Sequence, residues 1–234
     1  MTEYRIYTAS DKMLDLIKDN YRLIQVLSRF GIPMGFGDDS VSEICKKNGV
    51  DTDTFLLIVN FMMNPDLSFQ LGSVSIDSIV KFLRQSHVYF LEFCLPAIRR
   101  KLIDGITLKD SDVSFLILKL FDEYVAEVTS HMDQEEKTLF PYIEEKLANP
   151  SYEDKDCDTY SDHHENVGNK LRELKSIIIK YCPVDAKTNL LNAALYDIYR
   201  CEEELKSHGM VEDFLLLPAL KHYEDKIIMN NGER

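Results

Sequence analysis

Two segments of the chain, SHMDQEEKTLFPYI at residues 130–143 and SHGMVEDFLLLPAL at residues 207–220, follow the same pattern. In each, a glutamate comes four residues after a histidine, and a proline comes ten residues after it. Helical residues four apart share one face, about one turn apart. A proline inside a helix costs about 3 kcal/mol or more, so the repeated offset predicts paired helices with a local kink beyond each glutamate. The residues concerned are His131, Glu135 and Pro141, and His208, Glu212 and Pro218.

Both segments lie in long stretches whose apolar residues recur with helical spacing. Four such stretches cover approximately residues 75–103, 111–147, 158–181 and 187–228. Long helices joined by short connections are typical of an antiparallel up-and-down bundle. The 9 Gly and 7 Pro are too few for a turn-rich all-β protein. The sequence therefore predicts an all-α fold with a four-helix bundle over residues 74–230.

Residues 1–70 are predicted to form a small helical domain of three pieces. The first helix starts at Ser10-Asp11, which has N-cap residues, and stops at Gly31. A short helix follows at about residues 40–47, and a third begins at Asp51-Thr52. Asn64-Pro65 and the following Leu-Gly-Ser triplet are the natural linker positions.

Each long helix has an apolar seam, the stripe of apolar residues that faces the core of the bundle. One histidine lies on the seam of each helix, and two helices add a glutamate one turn later. Burying imidazoles and carboxylates in one core is costly unless they share a partner of opposite charge. A pair of metal ions would be such a partner, with the glutamates bridging and the imidazoles as terminal ligands. The predicted ligands are His87, His131, Glu135, His164, His208 and Glu212.

Other interpretations exist for single residues. One histidine on an apolar seam is more often a hydrogen-bonded core residue, and one His-x-x-x-Glu pair is more often a surface pair. Four helices that meet the requirement in phase favour the metal site. His163 is the rival of His164 but lies one step off the seam, and His222 is interpreted as a surface or cap residue.

Four further seam residues are not assigned to the site. Cys94 and Cys201 lie on seams, where a buried cysteine usually acts as a small hydrophobic residue. Tyr124, like Tyr160, has two interpretations, a hydrogen bond to a ligand or ordinary packing.

The ligand types limit the metal. Mixed imidazole and carboxylate, without thiolate, suits iron, manganese or zinc. A structural zinc site needs only four ligands. Six ligands on four helices, two of them at bridging spacing, predict a binuclear centre.

The chain resembles the hemerythrin-like bundle, and more closely the RIC (repair of iron centres) family of di-iron proteins. The resemblance implies that the six ligands above hold two iron ions (Fe2+/Fe3+), bridged by the two carboxylates and an oxo group. It also covers the small N-terminal domain. The segments that carry it are SHVYFLEFCLPAI (86–98), SHMDQEEKTLFPYI, HHENVGNKL (163–171), SHGMVEDFLLLPAL and VSEICKKNGVDTDTFLLIVNFM (41–62).

The N-terminal domain departs from that family at one place. The family usually carries adjacent cysteines in the loop after the first helix, whereas residues 32–37 of this chain contain none. A role that depends on those thiols therefore does not transfer to this chain.

The resemblance implies a non-haem di-iron protein of the nitrosative and oxidative stress response. It would support repair of damaged iron–sulfur clusters by donating iron or processing NO. The alternatives are an O2, NO or redox sensor that signals through the N-terminal domain, a simple O2- or iron-binding protein, and a hydrogen-bonded core without metal. No separate general base or nucleophile stands out, so the sequence leaves open whether the protein is an enzyme.

Composition restricts the partners. The net charge of −13, from 40 acidic and 27 basic residues, disfavours nucleic acid. The sequence has no apolar run long enough for a membrane span and no secretory signal, and its five scattered cysteines suggest a reduced, cytoplasmic chain. The expected small ligands are O2, NO or peroxide. The expected protein partners are iron–sulfur proteins or a regulatory protein. The chain is expected to be a monomer or a dimer and to bind neither nucleic acid nor a membrane.

Overall fold

The regular structure of the chain is helical. The computed structural model describes residues 5–65, 74–106, 112–152, 164–181 and 186–232, with only the backbone described for 164–169 and 230–232. Within these ranges there is no β-strand, only an isolated bridge between Lys12 and Ser40. The predicted all-α fold is confirmed. Among the described helices, none has the length and apolar character needed to cross a membrane.

Four short helices precede the bundle: α1 (Met13–Asp19), α2 (Leu23–Arg29), α3 (Val41–Lys47) and α4 (Thr52–Met63). The sequence predicted three pieces, with a single helix over the residues of α1 and α2. The chain leaves the helical conformation at Asn20, whose side-chain oxygen accepts a hydrogen bond from the Arg22 N–H at 3.0 Å. Such a local bond competes with the helical hydrogen bonds and explains the break.

Helices α3 and α4 begin at side-chain caps. Ser40 and Glu43 form a reciprocal capping box at the start of α3, and Asp51 accepts the Thr54 N–H at the start of α4. Helix α3 ends before Gly49, whose φ of 66° lies in the left-handed region that favours glycine after a helix.

Three of the four long helices are interrupted by a π-helical segment. The first consists of α5 (Ile76–Val88), π1 (Tyr89–Cys94) and α6 (Leu95–Gly105). The second consists of α7 (Asp112–Gln134), π2 (Glu135–Leu139) and α8 (Phe140–Ala148). The third is α9 (His164–Tyr181), and its predicted start at 158–163 lies outside the described residues. The fourth consists of α10 (Thr188–Val211), π3 (Glu212–Leu216) and α11 (Leu217–Gly232).

The π-helical segments explain the recurrent prolines. Each segment is followed by an α-helix whose second residue is proline: Pro96, Pro141 or Pro218. A proline has no N–H to donate, and its ring clashes with the carbonyl four residues earlier in an α-helix. A π turn shifts the hydrogen bonding to a spacing of five residues, as in the bond from the Phe140 N–H to the Glu135 carbonyl. The structure therefore has a π turn where the sequence predicted a kink.

The chain divides into two compact units. One comprises Met1–Ser86 with Met210–Arg234, and the other comprises His87–Gly209. In the first, α2 packs against α1 and α4, and α3 packs against α4. There Asn60 anchors the N-terminal segment, since its amide exchanges two hydrogen bonds with the backbone of Tyr7, at 2.8 and 3.0 Å. The predicted division between 1–70 and 74–230 stays a prediction.

The second unit has a continuous apolar core. Helix α7 packs against α6 and α9, and α10 contributes its own apolar seam. Two polar links join α10 to its neighbours: Lys175 of α9 pairs with Glu202, and Lys101 of α6 pairs with Asp197. The fully buried core positions include Leu102, Ile117, Phe121, Val128, Leu174, Ala194, Ile198 and Cys201.

Candidate metal centre

The predicted ligands lie at or beside the π-helical segments. His87 is the last residue but one of α5, two residues before the start of π1, and His131 lies in the last turn of α7. Glu135 and Glu212 are the first residues of π2 and π3, and His208 lies one turn before Glu212. Such segments are frequent at functional sites.

Four of these six residues converge. One ligand atom each from His87, Glu135, His208 and Glu212 lies within 4.8 Å of the other three. All four side chains are buried, and Glu212 is only 2% exposed. Donor atoms that share a metal ion at about 2 Å each lie within roughly 4 Å of one another, so this cluster is slightly wider than a single bound ion requires.

Glu135 lies between two imidazoles. Its Oε2 is 3.0 Å from Nε2 of His87, and its Oε1 is 2.9 Å from Nε2 of His131. Burial raises the pKa of Glu135, but hydrogen bonds from His131 and His87 outweigh burial and hold this pKa below its usual range. The carboxylate is therefore ionised, and each of its oxygens faces a different imidazole.

The imidazole of His208 faces that of His87. The two Nε2 atoms are 3.2 Å apart. The rings are fixed by aromatic neighbours: Phe140 stacks on His87 at 5.5 Å between centroids, and Phe90 meets His208 edge-on at 6.1 Å. These contacts hold the Nε2 atoms of His87 and His208 close together.

Glu136 is a site residue that the sequence analysis missed. Its Oε1 lies 2.9 Å from Nδ1 of His87. A carboxylate at Nδ1 keeps the proton on that nitrogen when a metal ion binds, so that the Nε2 lone pair would be available to the ion. The glutamate pair at 135–136 is visible in the sequence, but the pattern does not indicate which nitrogen of which histidine the second glutamate contacts.

The remaining predicted ligands differ in how far the structure describes them. His131 is not among the four converging residues but contacts Glu135, and its side chain is 18% exposed. His164 is the first residue of α9, and its side chain lies outside the described residues, as does the whole of His163. His222 is exposed in α11, as the surface interpretation predicted.

Tyr124 belongs to the apolar core. It is 2% exposed, and its ring lies 6.4 Å from that of Phe121. Burial raises the pKa of its hydroxyl far above the usual range. This environment agrees with the packing interpretation.

The donor set fits a transition-metal ion. Two buried carboxylates within one cluster repel each other, and a cation would compensate both. Imidazole nitrogen and carboxylate oxygen suit iron, manganese or zinc, and the cluster contains no thiolate. The described residues of the site therefore have the chemistry that a bound metal requires.

Comparison with known families agrees with this geometry. The model of the hemerythrin HHE cation-binding domain matches residues 78–220, more than half of the chain. That range contains all six predicted ligands and the three prolines that follow the π-helical segments. A comparison with curated proteins finds no match to this chain. The chain therefore belongs to the hemerythrin family, through an HHE cation-binding domain at residues 78–220.

Proposed function

We propose that this protein is a non-haem di-iron protein that responds to nitrosative and oxidative stress and supports repair of damaged iron–sulfur clusters by donating iron or processing NO. The observation that carries the di-iron part is the position of Glu135. A carboxylate whose two oxygens face two different imidazoles, His87 and His131, has the arrangement of a bridge between two metal ions. The repair role rests on the resemblance to the RIC family.

The proposal assigns each ligand to one of two ions. His87 and His208, whose Nε2 atoms are 3.2 Å apart, would hold one iron, and His131 with His164 would hold the other. Glu135 and Glu212 would bridge them. An iron pair with an open coordination position binds O2, NO or peroxide and exchanges electrons with it.

Residues around the proposed ligands orient the imidazoles and shield them from solvent. Glu136 accepts a hydrogen bond from Nδ1–H of His87 and so orients that imidazole toward the site. Phe140 and Phe90 cover the imidazoles of His87 and His208 and keep water from them. The burial of Glu135 and Glu212 favours retention of a cation.

The metal assignment is tested with protein purified without oxygen. We expect about two iron ions per chain and visible charge-transfer bands on oxidation. Both should be lost in a Glu135→Ala, Glu212→Ala double variant. The matched control is Glu145→Ala with Glu173→Ala, which removes the same charge from exposed positions in α8 and α9. Retention of all iron in the first double variant contradicts the assignment.

The repair role is tested in cells. A strain that lacks this protein should recover iron–sulfur enzyme activity more slowly after exposure to NO, and the wild-type gene should restore recovery. The Glu135→Ala, Glu212→Ala variant should not restore it. Unchanged recovery in the deletion strain contradicts the repair role and leaves the metal assignment intact.

One observation favours a second candidate, a di-iron sensor. Phe214 follows Glu212 by two residues in π3, and its ring lies 6.4 Å from that of Phe61 in α4. Both rings belong to the compact unit that combines Met1–Ser86 with Met210–Arg234. A change in the position of Glu212 would therefore reach α4 through this pair.

The sensor predicts that oxidation, NO or metal removal changes the protease sensitivity of residues 64–73, which follow α4. Phe214→Ala should abolish that change while the iron content stays the same. The exposed Tyr196→Ala in α10 is the matched aromatic control. Identical digestion in all metal and redox states contradicts the sensor.

A further inference from the structure

Two cysteine thiols contact each other in the core of the unit His87–Gly209. Cys94 is the last residue of π1, and Cys201 lies in α10. Cys201 is 1% exposed within the apolar core, and Cys94 packs against the same core but is partly exposed. The two side chains are joined by a hydrogen bond. The pair therefore connects the first and the last of the long helices.

The two thiols are chemically unequal. Hydrogen bonds from Cys201 and Tyr89 to the Cys94 sulfur outweigh burial and hold the pKa of Cys94 below its ordinary value. The hydrogen bond that the Cys201 thiol donates to Cys94, together with burial in the core, raises the pKa of Cys201 well above its ordinary value. Tyr89 and Cys94 are the first and last residues of π1, so the five-residue spacing of a π turn places them on one face. The partly exposed cysteine is thus also the one with the lowered thiol pKa.

We propose that Cys94 and Cys201 form a redox-active pair that hydrogen peroxide converts into an intramolecular disulfide. Cys94 is the attacking residue, because it is partly exposed whereas Cys201 is buried, so peroxide reaches Cys94 first, and its lowered pKa acts in the same direction. Cys201 is the resolving residue, because it already contacts the sulfur that would be oxidised.

The reaction has two balanced steps. The Cys94 thiolate attacks one oxygen of hydrogen peroxide, an S–O bond forms as the O–O bond breaks, and the leaving hydroxide takes up a proton to become water. The Cys201 sulfur then attacks the Cys94 sulfenic acid, the S–S bond forms as the S–O bond breaks, and a second water leaves with the Cys201 proton. Two thiols are oxidised by two electrons, and one peroxide is reduced to two waters.

The pair has a defined place relative to the metal centre. Cys201 precedes His208 by seven residues in one continuous helix, which is about 10 Å along the axis. Cys94 follows His87 by seven residues. A disulfide would tie together the two long helices that carry His87 and His208. No predicted metal ligand takes part in the thiol chemistry, so the proposal does not depend on the proposed function.

The first experiment maps thiols in the full-length protein as purified. The protein is treated with equimolar hydrogen peroxide, blocked with N-ethylmaleimide, digested and analysed by mass spectrometry. We expect the Cys94 and Cys201 peptides to be joined with loss of two hydrogen atoms, and dithiothreitol to reverse the link. Cys45 is the control within the chain, because burial raises its pKa to about 11. Cys94 should be lost at least roughly tenfold faster than Cys45.

Single variants assign the two roles. In Cys201→Ser the Cys94 sulfenic acid should accumulate and be captured by dimedone. In Cys94→Ser neither the link nor a dimedone adduct at Cys201 should form, and Cys45→Ser should behave as the wild type. The link should also form in chelator-treated protein, which separates this proposal from the metal assignment. Wild-type protein that keeps both thiols, or that joins either one to Cys157 or Cys182 instead, overturns the proposal.

Discussion

Oε1 of Glu136 lies 2.9 Å from Nδ1 of His87, while Oε2 of the preceding Glu135 lies 3.0 Å from Nε2 of the same ring. Two consecutive glutamates therefore contact the two nitrogens of one imidazole. Glu136 accepts a hydrogen bond from the Nδ1–H group, and Nε2, which contacts Glu135, would turn its lone pair to a metal ion when one is bound. Glu136 therefore orients the imidazole of His87, and Glu135 contacts the same imidazole within the site.

The first prediction concerns Glu136. Glu136→Ala removes the acceptor that orients His87, and outer carboxylates of this kind are worth roughly 10–100-fold in metal affinity. We expect the metal affinity of Glu136→Ala to fall by that factor. The affinity of Glu136→Gln, which keeps an acceptor but not the charge, should fall less. Competition with a chelator measures the affinity, and exposed Glu145→Ala is the control. Wild-type affinity in Glu136→Ala would show that the contact does not orient His87 for binding.

The second prediction concerns metal removal. Glu135 and Glu212 are buried together, so loss of a cation leaves two carboxyl groups close to each other in the core without a compensating charge. A ligand at about 100 times its dissociation constant stabilises a protein by about 2.7 kcal/mol, so chelation should lower the melting temperature by several degrees. Calorimetry with and without chelator measures this shift. The Glu135→Ala, Glu212→Ala variant should melt at the same temperature in both conditions, and a chelator shift equal to that of the wild type would contradict the assignment.

Much of this architecture was predictable from residue spacing. The long helices follow from apolar residues that recur every three or four positions, and four of the six predicted ligands converge because they lie in phase on those seams. The prolines indicated that the α-helical hydrogen bonding is interrupted, but they did not indicate the kind of interruption. A kink and a π turn both remove the clash between the proline ring and the earlier carbonyl. The break at Asn20 was not predicted, since it depends on one side-chain hydrogen bond and not on periodicity.

Contacts between helices were not predictable in the same way. Glu136 lies one residue beside the seam, and only the packing of the first long helix against the second near His87 places it at that imidazole. The sequence assigns Cys94 and Cys201 each to a seam as small hydrophobic residues. Their contact depends on the relative register of two helices that are far apart in sequence, and one sequence contains no measure of that register.

The third prediction concerns the capping box of α3. Ser40→Ala should lower the free energy of unfolding by about 1 kcal/mol, because the Glu43 N–H loses its acceptor. The Ser40 N–H and hydroxyl hold the pKa of Glu43 below its ordinary value, so Glu43 stabilises the fold above its unfolded pKa of about 4.3.

That contribution is lost as the pH falls through the lowered pKa of Glu43. The stability difference between wild type and Glu43→Gln should therefore be constant near neutral pH and disappear in acid below about pH 4. Urea unfolding at a series of pH values measures it. A difference that persists unchanged at the acid end would show that the Glu43 charge does not contribute.

The fourth prediction concerns Gly105, the last residue of α6. A Cβ at this position would lie 3.1 Å from the backbone nitrogen of Leu191, and the Gly105 carbonyl accepts the Lys187 N–H at 2.9 Å. Gly105→Ala would therefore push the start of α10 away from α6. We expect a loss of about 1–3 kcal/mol in the free energy of unfolding. Unfolding in urea measures it, and a stability equal to or above the wild type would contradict the close approach.

In the proposed di-iron centre, Glu135 would bridge the two iron ions. Mössbauer spectroscopy of the oxidised protein, enriched in 57Fe, tests this arrangement most directly, because two ferric ions that share bridging ligands, an oxo group above all, couple their spins. We expect a coupled pair of ferric ions with a diamagnetic ground state in the wild type, and its loss in Glu135→Ala. A single magnetically isolated ferric ion in the wild-type protein, unchanged in the variant, would contradict it.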